Sequence, residues 1–512
     1  MISLCGSPIL MGLLFAQAPA APADPAVLAA KIDRHLEAVW KERGLTAAPA
    51  TDDATLFRRL SLDLIGRIPT ASEASAFLED RDREKVRKTI ERLSATPLHQ
   101  RNMALFWRKI WLPQSQTMAR LADGTDEWIA AKLAKRTPYP RMVQEFLVAR
   151  ATSPEGRAAD MAPPSFSAFN ENKPENLAAS SARAFLGINL DCAQCHDHPF
   201  AVWTRDQFWE TAAFFARPVT AEIGKPGALA VTIPNTNKSL KPRLIKGSND
   251  ALPASWKDDE GRVLLAGWIT GSSNPLFFHN AANRLWSHFF GYGLVEPLDN
   301  LVGEHAKDLD PLLNELAEAF RLSGGDTHFL TQAIVSSQAY RASSRHAQKT
   351  ASPQRSGHGF FSSRPVRGLT GEQLFDSLLV AGGYSLPGSD AESQELLKLR
   401  SRFAAKFFVD RSVHAERSVI QSLVLLNGDA FPASPKKGAC PSVCAIADGP
   451  FSGPPARIEA MYLAVLGRLP TASERQVLAQ ALPQDAPGRD RKKDLNDLFW
   501  ILINTVEFSS NH

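Results

Sequence analysis

TLFRRLSLDLIGRIPTASEASAFLED, Thr55 to Asp80, is the stretch from which the fold class of this chain can be read. It reads as a helix, a Gly-Arg-Ile-Pro turn over Gly66 to Pro69, and a second helix whose start is marked by Thr70 and Glu73. These two form a T-x-x-E capping box: the threonine oxygen accepts from an amide of the first turn while the carboxylate accepts from the threonine's own amide.

The same texture continues on both sides. Upstream, VLAAKIDRHLEAVWKERG (27–44) carries Val27, Ile32, Leu36 and Val39 near helical spacing. Downstream, capping boxes at Thr204 with Gln207 and at Thr370 with Gln373 precede FWETAAFF and LFDSLLVAGG. Near the far end, MYLAVLGRLPTASERQVLAQAL repeats the opening signature: matching Gly66 with Gly467 also aligns Leu62 with Leu463 and two identical PTASE segments, the second with its own box at Thr471 and Glu474. Two good solutions of one turn explain this echo more simply than duplication of a domain.

Between Pro218 and Asp259 turn formers surround a β-prone run, ALAVTI, which reads as an irregular connector with a small hairpin. A second loose segment, 343–365, precedes the helical stretch from Leu369. The expected fold is therefore mainly α and multi-helical, with a first domain at 25–217, the connector at 218–260 and a second domain at 261–512.

Composition agrees. A chain of 512 residues is too long for one ordinary core. A formal charge of +4 from 58 basic and 54 acidic residues argues for neither nucleic acid nor an anionic membrane as partner. Residues 1–24, with an apolar centre from Ile9 to Phe15 followed by Ala and Pro, have the layout of an export signal and linker. No later apolar run approaches the roughly 20 residues of a membrane span. A soluble periplasmic or extracellular protein is expected, with no transmembrane span.

The chemistry lies in DCAQCHDHPF, Asp191 to Phe200, where Cys192, Cys195 and His196 form C-x-x-C-H. This is the spacing of covalent c-type haem attachment: two thiols reach the vinyl groups on one porphyrin edge while the adjacent imidazole lies beneath the iron. Composition alone would produce about 0.001 such matches in the chain. The expected cofactor is haem c, anchored at Cys192 and Cys195 with His196 as proximal ligand. A thiol-redox pair, a structural disulfide, or a zinc site completed by His198 would use the same residues and stays open. His198 is too near to be the distal ligand, because two residues span at most about 7 Å. His288 and Met161 are the distal candidates. His279, nine positions before His288 in NPLFFHNAANRLWSHFFG, lies on the opposite side of that helix. In an oxidising compartment Cys440 and Cys444 are candidates for a local disulfide.

In GYGLVEP, Gly291 and Gly293 follow a helix where a left-handed C-cap is favourable and Leu294 can fold back onto the apolar face. Arg284 is placed to pair with Glu296 or Asp299 across that turn, or to hold a haem propionate.

Taken together, LFRRLSLDLIGRIPT and ENLAASSARAFLGINLDCAQCHDHPFAVWTRDQFWETAAFF resemble the planctomycete cytochrome-c-like domain of unknown function. NPLFFHNAANRLWSHFFGYGLVEPLDN, LTQAIVSSQAYRASS and RGLTGEQLFDSLL look like the second domain of unknown function that habitually follows it. The resemblance runs from about Val27 to Phe508 and implies an exported, haem-bearing protein, linked by analogy to extracellular polymer degradation. It carries over Cys192, Cys195 and His196 as the attachment motif, flanked by His198, Pro199 and Trp203. In the second domain it picks out Asn283, Arg284, Trp286, Gly291, Gly293, Leu294, Pro297 and Asp299, without a chemical role. Many relatives carry a further C-x-x-C-H; this chain has one, so one haem is expected.

The leading functional expectation is a monohaem electron-transfer or redox role with an unknown redox protein or co-exported partner. The alternatives are a polymer-processing hydrolase and a helical scaffold, with the Cys/His cluster structural or metal-binding. No G-x-S-x-G, H-E-x-x-H or P-loop motif occurs, and catalytic residues are unassigned. Glu296, Asp299 and Glu304 are the carboxylates that a glycosidase-type pair would draw on.

Overall fold

The computed structural model describes residues 24–112, 124–149, 162–197, 203–218, 227–245, 252–257, 259–303, 305, 307–345, 359–387, 391–407, 438–481 and 490–512. The export-type segment, Met161, His198, Pro199 and Glu304 lie outside the described residues.

The first half holds α1 (Pro25–Arg43), α2 (Asp53–Leu60), α3 (Ala71–Glu79), α4 (Lys85–Ser94), α5 (Pro97–Trp111), α6 (Thr125–Ala134), α7 (Tyr139–Val148), α8 (Ser165–Phe169), α9 (Pro174–Ser181) and α10 (Arg205–Ala212). After the connector come α11 (Glu260–Thr270), α12 (Pro275–Phe290), α13 (Asp310–Leu322), α14 (Thr327–Ser336), α15 (Gln338–Arg341), α16 (Gly371–Gly382) and α17 (Ala391–Lys406). The chain closes with α18 (Pro441–Asp448), α19 (Pro454–Leu466), α20 (Ala472–Ala481) and α21 (Arg491–Ile503). Two antiparallel ribbons complete the described residues, β1 (Val231–Thr232) with β2 (Ser239–Leu240) and β3 (Arg367–Gly368) with β4 (Ser510–Asn511). The protein is mainly α, and the hairpin expected at ALAVTI is present in the connector.

Local chemistry explains the helix ends. Asp24 caps α1 by accepting from the Ala26 amide, and Gly44 closes it in the left-handed region. The buried stripe of α1 is Leu28, Ile32, Leu36 and Val39; Val27 is exposed, because one step along a helix turns the side chain by about 100°. Burying such an aliphatic side chain contributes about 1.5–3 kcal/mol. All four threonine capping boxes form.

The two PTASE turns are near copies in three dimensions. Arg67 grips Glu73 through two hydrogen bonds of 2.8 and 2.9 Å, and Arg468 grips Glu474 through two of the same lengths. In both, the arginine pair and the threonine amide hold the glutamate down to about 2, against the rise that burial alone would cause. The copies also touch: a Cβ on Gly467 would lie 3.2 Å from the Pro69 ring. They differ in the Ile or Leu that follows the arginine, and Arg468 additionally donates to Glu507 at 2.6 and 2.8 Å.

Two apolar clusters result. The larger runs from α1 to Phe361 and contains the mutually tilted rings of Trp107, Trp111, Tyr139, Phe146 and Phe185. The smaller joins α16 to Phe508 and takes in Leu62 and Ile68 from the opening stretch. Leu60 and Leu64 face the larger cluster while Leu62, half a turn away, faces the smaller. The opening stretch thus binds both clusters. The segment 343–365, read as loose from its turn formers, contributes buried Phe361 and Arg364 to this junction.

Candidate functional site

Asp191–Gln194 forms a single 3-10 turn continuing directly from the chain after a π-helical turn at Ala182–Leu186. Three residues per turn bring side chains at i and i+3 into line, so Cys192 and Cys195 leave the same side. Both are exposed free thiols, while Ala193 between them is buried and seats the turn. His196 follows, also exposed. Its Nδ1 lies 2.7 Å from the Asp197 carbonyl. A carbonyl only accepts, so Nδ1 is the donor in this contact and Nε2 is the ring nitrogen it leaves unengaged.

The loop is held from four sides. The Trp209 indole donates to the Gln194 carbonyl at 3.1 Å. The Arg205 amide, at the start of α10, donates to Asp197 Oδ1 at 2.8 Å. Arg183 Nη2 donates to both carboxylate oxygens of Asp191 at 2.6 and 2.7 Å. Asn189 accepts from the Asp191 amide at 3.2 Å. Buried Trp203 lies just upstream of α10.

Helix α12 buttresses the approach to this loop. Asn280 Nδ2 donates to the Ala184 carbonyl at 2.7 Å and Arg284 Nη2 to the Arg183 carbonyl at 2.9 Å; beyond the helix, the Leu301 amide donates to the Gly187 carbonyl at 2.9 Å. Arg284 Nε also donates to Asn280 Oδ1 at 3.0 Å. Arg284 therefore reaches toward the cysteine loop, a direction that its spacing from Glu296 and Asp299 did not suggest.

The turn after α12 is organised by Asn283, which is fully buried. Its Oδ1 accepts from the Leu294 and Val295 amides at 2.7 and 3.1 Å, and its Nδ2 donates to the Val295 carbonyl at 2.8 Å. Gly291 takes the expected left-handed C-cap, with φ 83°, and Leu294 is buried. Gly293 is required by close approach: a Cβ there would stand 2.6 Å from the Val295 carbonyl. Glu296 Oε1 accepts from the Gly293 amide at 2.6 Å.

The other histidines sit elsewhere. His288 is packed on Phe106, ring centroids 4.4 Å apart, with Nε2 3.4 Å from the Asp63 carbonyl. Its partners come from α5 and the opening stretch rather than from the cysteine loop. His279 is half-buried and engaged by the Pro275 carbonyl and Asn314. Cys440 and Cys444 are free thiols, so the local disulfide is not formed: Cys440 caps α18 and is buried in the smaller cluster. Among the described residues, no group of three or more His, Cys, Asp and Glu is arranged to hold a metal ion. Among the described residues, no helix is long and apolar enough to cross a membrane.

A buried hub links the two clusters, and sequence spacing gave no sign of it. Asp63 sits in a π-helical turn, Ser61–Ile65, and is fully buried. Its Oδ1 accepts from Arg367 at 2.6 Å and Asn511 at 2.7 Å; its Oδ2 accepts from Tyr340 at 2.9 Å and Arg364 at 3.1 Å. Arg364 also donates to the Phe289 carbonyl and lies between the rings of Phe290 and Tyr340. Two arginines on one buried carboxylate, with a cation held between rings, make a structural joint rather than a proton-transfer site.

Burial lowers three histidines, His99, His288 and His512, from 6.5 to about 4. Each stays neutral in the folded protein, whereas the unfolded chain takes up a proton below 6.5. Their stabilising contribution is therefore complete above pH 6.5 and is lost as pH falls from 6.5 to 4. Urea unfolding at pH 7, 6 and 5, above the range where carboxylates titrate, is expected to show a steady fall in stability. A flat profile over that range would contradict neutral burial of these rings.

Two family models match the chain. PSCyt2, a protein of unknown function (DUF1549), matches residues 31–219, which include the cysteine loop and Asp63. PSD1, a protein of unknown function (DUF1553), matches residues 261–414, which include α12, Arg364 and Arg367. The smaller apolar cluster continues beyond the second match to Phe508. No curated protein and no solved structure matches. The contacts of Asn280 and Arg284 with the approach to the cysteine loop, and of both hub arginines with Asp63, join the two matched regions. The chain thus carries a PSCyt2 (DUF1549) region at residues 31–219, followed in the same polypeptide by a PSD1 (DUF1553) region at residues 261–414.

Proposed function

We propose that this protein is exported and carries one c-type haem in an electron-transfer or redox role, bound through Cys192 and Cys195 with His196 as the proximal ligand. The observation that supports this reading best is the exposure of both free thiols, one on a 3-10 turn and the other directly after it, followed by an imidazole whose Nδ1 is the atom engaged by backbone. Haem held in this way supplies a one-electron couple.

The residues around the turn would serve that attachment. Trp209, Arg205 and Arg183 fix the loop backbone, so the thiols and imidazole are positioned before a cofactor arrives and little ordering entropy is lost on binding. Asp197 sets the tautomer and ring orientation of His196 through its carbonyl. His288 is engaged by Asp63 and Phe106, and Met161 lies outside the described residues.

The test is expression with an export signal in a host that has working cytochrome-maturation machinery. The mature chain is expected to gain the mass of one haem, to retain haem staining on a denaturing gel, and to lose both in the double variant Cys192→Ser/Cys195→Ser. His196→Ala should keep the added mass but change the absorption spectrum. A bare polypeptide mass for the unsubstituted chain would overturn the proposal.

A further inference from the structure

A cleft outside the cysteine loop lies between α5 and the start of α16, closed on one side by the opening stretch and on another by α17. Its wall is apolar along Ile65, Leu98, Leu105, Phe106 and Leu386. Among the described residues its charged groups are three cations and two carboxylates, and two of the cations are matched. Arg400 holds Asp376 through a two-pronged pair, both contacts 2.7 Å. Lys109 lies 2.9 Å from Glu372. Burial would raise the Glu372 carboxyl, but Lys109 brings it down to about 2, so Glu372 is a carboxylate at neutral pH.

Arg101 is the cation left over. Its hydrogen bond among the described residues is one of 3.3 Å from Nη1 to the Pro387 carbonyl, although a guanidinium has five N–H donors. It is only partly exposed; burial and the nearby Arg400 charge lower its pKa, and the charges of Asp376, Asp126 and Glu127 offset this in part. His288, which also lines the cleft, adds no charge at neutral pH.

We propose that this cleft binds a small monocarboxylate with an apolar body, its carboxylate on the Arg101 guanidinium and its body against Phe106 and Leu105. An anion there would give the guanidinium a charged acceptor in a fork-to-fork pair, which is stronger than a neutral hydrogen bond. Size agrees with this class. The cavity is about 110 Å³, and one water needs roughly 10–15 Å³ on this scale. An acid of benzoate's dimensions fits and a polymer segment does not. The site is independent of the haem reading, so the chain should bind equally with or without intact Cys192 and Cys195.

Calorimetric titration of the full chain with sodium benzoate, and separately with benzamide, tests the proposal. Benzoate is expected to bind saturably with one site per chain, and benzamide, the neutral analogue, at least ~10-fold more weakly. Arg101→Gln should weaken benzoate by a similar factor while leaving benzamide unchanged, with thermal unfolding confirming that the variant is folded. Should that variant not fold, the benzoate and benzamide comparison on the unsubstituted chain still decides. Absence of saturable benzoate binding, equal affinity for the two compounds, or undiminished affinity in a folded Arg101→Gln protein would each overturn the proposal.

Discussion

Replacing Asp63 by alanine is expected to lower the free energy of unfolding by about 3–5 kcal/mol, the cost of removing one partner from a buried ion pair. The carboxylate is the acceptor for Arg364, Arg367, Tyr340 and Asn511. Burial already lowers Arg364 to about 9, and Asp63 is the largest influence holding it charged. Without the carboxylate, Arg364 stays enclosed between Phe290 and Tyr340 with no compensating charge, since its side chain has almost no route to water. Asn511 also loses its acceptor, and β4 should detach from β3, so the carboxy-terminal residues should become open to carboxypeptidase. The urea midpoint reports the first effect and digestion rate the second. A loss under about 1 kcal/mol would mean that the arginines reach solvent, and that the hub is not a joint.

Asn283→Leu should cost about 3 kcal/mol or more, because leucine fills a similar space and the loss is then of hydrogen bonds rather than of volume. Two buried amides, Leu294 and Val295, lose their acceptor, and the Val295 carbonyl loses a donor. Each buried polar group left unpaired costs about 1–3 kcal/mol. Thermal unfolding measures the total, and hydrogen exchange at the Leu294 and Val295 amides should accelerate locally. A leucine variant as stable as the parent would show that the turn after α12 is held by packing of Leu294 and Val295 alone.

These two residues mark where sequence reasoning reached and where it stopped. Asn283 lies within a string that resembles a known domain, yet its role depends on a turn eleven and twelve residues further on. Asp63 lies in the very stretch that set the fold class, between two leucines that face different clusters, and nothing near it in the chain predicts a partner. Its four partners come from Tyr340, Arg364, Arg367 and Asn511. One of them, Arg364, sits in a segment whose turn-forming composition made it look loose. By contrast the four capping boxes, the Gly291 cap and the connector hairpin were all legible, since each is an exchange between groups within a few residues of one another.

The chain alone specified its helices, their caps, the twin PTASE turns, and a thiol, thiol and imidazole at fixed spacing, because those features depend on energies that close within about one turn. Long-range packing determined which charges are buried together, which histidines stay neutral, and which cation in the α5 cleft is left without a carboxylate. The cause is physical: the cost of a buried charge is set by the medium and partners around it, and here these arrive from hundreds of residues away.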